Sequence, residues 1–217
     1  MQTWINAFSW INIRFLLLGL KVTLGISVIV MVLSFVIGSL MGILRFAKIK
    51  YISATVGFIV DVVRNLPLLL IIFFTYFGLP NFGFRPDVIP AAIIAMTVFE
   101  SGMIAEIVRS GIQSVAIGQI EGARSTGMNF AQAMWHVVLP QAYKHMIPTL
   151  VSQLVSLIKD TSLATIIVVP EMTQQAQIVY GQNANFTLPM FVALALLYFI
   201  VCFALSLVGS VVGKQLN

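Results

Sequence analysis

At 217 residues, with 59% hydrophobic side chains, 9% charged ones and a mean hydropathy of +1.02, the chain is too apolar for a soluble domain and has no segment polar enough to form one. Its net charge of +5 comes without a basic cluster interleaved with aromatics, which excludes nucleic acid as a partner and points to basic loops at a membrane surface. The single Cys202 excludes an internal disulfide and a thiolate metal site.

The first residues, MQTWINAFSWINIRF, lack the basic n-region and small-residue cleavage site of a signal peptide. Trp4, Phe8 and Trp10 suit a short helix at the membrane interface instead. Apolar stretches follow at 15–44, 52–78, 88–109, 147–169 and 187–212, each near or above the roughly 20 residues that cross a hydrocarbon core of about 30 Å. The fold expected is an all-α membrane protein, one permeation domain over 1–217 with five spans. The first stretch, about 45 Å long as a helix, must tilt or protrude. Pro67 cannot donate to the carbonyl of Val63, so the second span should kink there.

An odd number of spans puts the termini on opposite sides. Arg45, Lys48, Lys50, Arg109, Arg124, Lys144 and Lys214 then gather on one side, against Arg14 and Arg85 on the other. The richer side should be cytoplasmic, with the N-terminus outside and the C-terminus inside. Small residues at Ser34, Gly38 and Gly42, and at Gly209 and Gly213, allow close helix approach, within the chain or against a second subunit.

Between the third and fourth spans lies a polar island, Ile117–Pro140, carrying Glu121, Arg124, Asn129, Gln132 and His136. Its pattern predicts helix, turn, helix. Gly127 supplies the break, and Phe130, Met134, Val137 and Val138 recur on one face of the second helix. Glu121, Gly122, Ala123, then Gly127, then Val138-Leu139-Pro140, resemble the cytoplasmic EAA loop of ATP-binding-cassette importer permeases. Gly122 stands where that family more often has Ala, which costs some helix propensity.

Ionisable groups inside the spans are costly unless paired, hydrated or bound. Arg64, Glu100, Lys159 and Asp160 fall about 15–18 Å along their helices, and Asp61 lies one turn from Arg64 on the same face. A zwitterionic amino acid requires a cation for its carboxylate and an acceptor for its ammonium. Arg64 and Glu100 are the candidates for these two roles, with Asp61, Lys159 and Asp160 beside them. The alternative is that these charges only neutralise one another. Glu106 and Arg109, three apart, read as a local pair or loop anchor.

No catalytic or metal site is expected. His136 and His145 fit no HExxH pattern, there is no GxSxG, and Gly209–Gln215 (GSVVGKQ) is one residue short of a phosphate loop and ends in Gln. Together with the loop, the segments DVVRNLPLLL (Asp61–Leu70), AEIVRSGIQSV (Ala105–Val115), LPQA (Leu139–Ala142) and KDTSL (Lys159–Leu163) resemble the permeases of polar amino-acid ATP-binding-cassette importers.

That resemblance implies a multi-pass subunit of the bacterial plasma (inner) membrane, dimerised with itself or with a similar permease. It also implies that Glu121, Gly122, Ala123, Arg124 and Gly127 engage an ATPase subunit, which would bind ATP and magnesium, while an external solute-binding protein delivers the amino acid. Transport would proceed by alternating access. Glutamine or glutamate is the expected cargo, because the mid-depth charge is nearly balanced. The rival reading is a self-sufficient ion channel or secondary carrier, which would use the mid-depth charges but have no need of the loop.

Overall fold

In a computed structural model that describes residues 2–216, side chains to 214, ten α-helices and short 3-10 and π-helical turns account for nearly all the described chain, and no strand occurs among the described residues. The helices are α1 (Gln2–Ala7), α2 (Trp10–Phe46), α3 (Ile52–Asn65), α4 (Leu68–Phe73), α5 (Val88–Gln113), α6 (Ile117–Ser125), α7 (Phe130–Ala133), α8 (Leu139–Asp160), α9 (Met172–Gln182) and α10 (Thr187–Leu216). Four continuous helical segments are long and apolar enough to cross a membrane: Trp10–Phe46, Val88–Gln113, Phe130–Ile167 and Ala184–Lys214. A bent pair, Ile52–Asn65 with Leu68–Phe82, is the fifth candidate.

The bend is a full interruption where the sequence predicts only a kink. Leu66 is extended (φ −88°, ψ 140°), as a residue before proline must be when the helical region is closed to it, and Pro67 starts the next helix as its N-cap. The fourth span differs in the other direction. Its helix starts at Phe130, not near 147, because a π-helical turn at Met134–Val138 carries α7 into α8. Pro140 follows directly on that turn; the Leu139 N–H reaches back to the Met134 carbonyl, and Pro140, with no N–H, adds no bond to the preceding turn.

The chain divides into two compact units. Unit 1 holds Met1–Val32, Pro67–Thr97 and Leu154–Leu205; unit 2 holds Leu33–Leu66, Val98–Gln153 and Ser206–Asn217. In unit 1 a buried cluster joins Ala7 and Leu16 to Met172, Ala176 and Val179 of α9 and Met190, Ala193 and Leu194 of α10.

Polar bonds lock α9 in place. The carboxylate of Glu171, fully buried, accepts from the backbone N–H groups of Thr173 (2.8 Å) and Gln174 (2.7 Å) and from the Tyr198 hydroxyl (3.3 Å), while the Met172 N–H donates to Thr23 Oγ1 (3.2 Å). Glu171 lies between the fourth and fifth spans. Burial pushes its carboxyl above the ordinary value, and the donated hydrogen bonds offset only part of that shift.

In unit 2 the small-residue stripe is used within the chain. A side chain at Gly38 would come 2.7 Å from the Ser101 carbonyl oxygen, and one at Gly42 would come 2.6 Å from that of Ala105, so α2 and α5 touch backbone to backbone. Gly209 packs likewise on Val151, and Gly213 on Pro148.

Candidate functional site

Unit 2 carries both features that chemistry can use: a charged hub and an exposed elbow. Glu106 on α5 is the centre of the hub. Its carboxylate accepts from Arg109 one turn away, with Nε at 3.0 and 3.2 Å and an additional contact from Nη2. Arg45, from the end of α2, donates from Nη1 at 3.0 Å, and Arg64 Nη1, from the last turn of α3, lies 3.8 Å away. Arg45 also reaches Asp61, with contacts of 3.1 and 3.2 Å. Arg45 lies over Gly57, where a side-chain carbon would sit in ordinary contact with its Nε at 3.4 Å.

The expected Glu106–Arg109 local pair is therefore one arm of a network over three helices. Asp61 and Arg64, one turn apart on one face, find separate partners, Asp61 in Arg45 and Arg64 in Glu106. Both changes have one cause. Arg45 is distant in sequence from both carboxylates, and a helical register shows only partners three or four residues away. Three guanidinium groups against two carboxylates leave the hub with one positive charge.

Arg64 is the most loosely held of the three cations. It faces a cavity of about 350 Å³ that Glu106, Ser110, His145, Thr149 and Gln153 also line. Glu100, by contrast, is fully buried, and its Oε2 accepts from Gln153 Nε2 at 2.9 Å. Glu100 thus reaches the cavity through Gln153. Lys159 and Asp160 belong to unit 1, at the end of α8. Among the described residues neither joins an ion pair. Sequence reasoning missed Arg45, Gln153 and His145 at this site; Gln153 alone carried a signal, as a polar side chain inside an apolar span.

The elbow is built from two adjoining caps. After α6, the Gly127 N–H donates to the Arg124 carbonyl (3.0 Å) and the Met128 N–H to that of Ala123 (3.4 Å), with Gly127 at φ 90°. This is a Schellman C-cap, and it demands the left-handed conformation that glycine adopts without strain. Asn129 then caps α7: its Oδ1 accepts from the Gln132 N–H (2.9 Å), and Gln132 Oε1 accepts from the Asn129 N–H (2.9 Å). Glu121, Gly122, Arg124 and Gly127 are exposed, and Ala123 is buried. Beside the elbow, Phe46, Lys48, Ile117, Glu121, Arg124 and Phe130 line an open groove of about 500 Å³.

Residues 34–217 match the family described as the binding-protein-dependent transport system inner membrane component. The chain belongs to that family. Over 205 residues, 94% of either protein, it is 47% identical to a probable glutamine ABC transporter permease of Bacillus subtilis (strain 168). An L-cystine transport system permease of the same organism is 32% identical, over 92% of this chain and 85% of its own.

Among solved structures, an amino acid ABC transporter with histidines superposes with a TM-score of 0.86 at 29% identity, covering 93% of this chain and 94% of that one. The methionine ABC transporter in an inward-facing conformation gives a TM-score of 0.84 at 22% identity over 97% and 100%, a likeness of fold. The chain is thus a membrane-spanning permease of the amino-acid ABC-transporter type.

Proposed function

We propose that this permease carries a polar amino acid, glutamine first among them, into the cytoplasm by alternating access, driven by ATP hydrolysed on separate ATPase subunits. The observation that carries the reading is the elbow of α6 and α7, a capped and exposed corner on an otherwise oily chain. Its Glu121–Gly127 face is the surface offered to the ATPase. A channel or secondary carrier would have no use for such a corner. The cargo assignment rests on the relatives, whose names include glutamine.

A second permease subunit completes the pathway, and an external solute-binding protein supplies it, because the connections at Leu79–Asp87 and Pro170–Phe186, the second largely taken up by α9, are too short to capture a solute. The N-terminus lies outside and the C-terminus in the cytoplasm, as the basic residues require.

The cargo is held at the hub, and the clamp draws on unit 2 alone. Arg64 offers two parallel donors to the carboxylate. Glu106 accepts from the ammonium, and Gln153, set by Glu100, meets a side-chain amide. Asp61 acts through Arg45, holding that guanidinium off the cavity. Arg64→Ala in proteoliposomes containing the ATPase subunits should raise the KM for glutamine at least tenfold, while ATPase subunits still co-purify. Unchanged uptake kinetics would remove Arg64 from the clamp.

A further inference from the structure

The exposed side of α2 carries two cations that no carboxylate among the described residues answers. Trp10, Ile11, Leu17, Leu18, Val28, Ile29 and Val32 are all exposed large hydrophobics. Arg14 and Lys21, also exposed, lie in line with them. Their seven-residue spacing sets them two turns apart on one face, about 10 Å along the axis. The sequence holds no acidic residue before Asp61. The ion pairs among the described residues draw only on Arg45, Arg64, Arg109, Asp61 and Glu106.

The depth of the pair follows from the length of α2. From Val22 to Leu44 the helix has no charged residue, about 34 Å at 1.5 Å per residue, enough to cross a hydrocarbon core of about 30 Å. Lys21 therefore stands at the edge of the hydrocarbon and Arg14 about 10 Å beyond it, among the headgroups. Trp10, one turn further and 72% exposed, is an aromatic of the type that anchors at that level.

On the hydrocarbon side of Lys21, Val28, Ile29 and Val32 continue the exposed side of the helix as an apolar track. An occupant of the whole patch must present negative charge at one level and a hydrocarbon chain beside it. We propose that the N-terminal end of α2 is a binding site for one anionic phospholipid, its phosphate held by Arg14 and Lys21 and an acyl chain laid along the exposed Val28, Ile29 and Val32. A second copy of the chain fits worse. In a two-fold contact the patch would meet itself, setting cation against cation with no acid on the face. A bound anionic lipid also pins a helix that is too long for the membrane and would otherwise be free to vary its tilt.

The site is tested by native mass spectrometry of the full-length chain released from detergent, titrated with dioleoyl phosphatidylglycerol or dioleoyl phosphatidylcholine. The expected result is one phosphatidylglycerol retained at about tenfold lower lipid concentration than phosphatidylcholine. Arg14→Gln with Lys21→Gln loses that one adduct, Arg14→Lys with Lys21→Arg keeps it, and Lys48→Gln with Lys50→Gln keeps it too, separating this site from the α2–α3 turn. Equal retention of the two lipids, or a preference that survives the Arg14→Gln/Lys21→Gln change, overturns the proposal. So does a lipid-free dimer that this double change dissociates, because the patch is then an interface between copies.

Discussion

Glu106 answers three guanidinium groups at once, so its loss should be felt far beyond the pair visible on its own helix. Glu106→Gln leaves Arg45, Arg64 and Arg109 facing one another with only Asp61 to offset them. The group is partly exposed, and the expected cost is about 2–4 kcal/mol, the range for breaking a partly desolvated ion network. A thermal melt in detergent checks it: Glu106→Gln should melt well below wild type, and Arg109→Gln, which removes one arm, should fall between. An unchanged melt for Glu106→Gln would mean that the network carries no stability.

At Glu171, which lies between the spans, burial raises the carboxyl pKa. A group whose folded pKa is raised contributes stability that is complete below its unfolded value, ordinarily 4.5, and that is lost as pH rises through the folded value. Wild type should therefore lose stability relative to Glu171→Gln as pH climbs from below 4.5 toward neutrality, measured by paired melts. Glu171→Ala, which removes the cap on α9, should cost about 1 kcal/mol or more at either pH. A pH-independent difference between wild type and Glu171→Gln would show that the carboxyl keeps its ordinary pKa.

At the scale of elements, the elbow sets the sharpest contrast. A methyl group at Gly122 meets nothing within 4 Å, so Gly122→Ala should stabilise α6 by about 0.5–1 kcal/mol through helix propensity alone. Space is equally open at Gly127, but its φ of 90° makes Gly127→Ala cost about 1–2 kcal/mol. Opposite signs in the two melts, at sites equally free of clashes, would separate backbone conformation from packing.

The helical class, the membrane, the glycine at the elbow and a break in direction near Pro67 were legible in the sequence, though as a kink and not as the full interruption observed. Hydropathy, proline and glycine act locally, and each leaves its mark within a few residues. The Asn129–Gln132 capping box was equally local and went unread. Other features were not legible. The helix expected from Phe130 to Val138 runs on into the fourth span because a π-turn joins it to α8, and no residue pattern marks a π-turn. The hub was hidden because Arg45 and Arg64 meet Glu106 only after α2, α3 and α5 have packed. Gly38 and Gly42 had two open readings, and only the closeness of the α5 backbone decides for contact within the chain.

For the whole molecule, the proposed function makes this chain one that transmits work and supplies none. Glu121→Lys or Gly127→Pro in the assembled transporter should leave ATP hydrolysis running while uptake falls at least tenfold, because the corner that links the two is altered and the path is not. Persistence of tightly coupled transport in both variants would assign the elbow another role.

The most direct measurement is uptake of radiolabelled glutamine by proteoliposomes, with binding protein supplied and the permease reconstituted with or without its ATPase subunits. The proposed function requires ATP-dependent accumulation with the ATPase and none without it, even under an imposed ion gradient. Accumulation by the permease alone would contradict it.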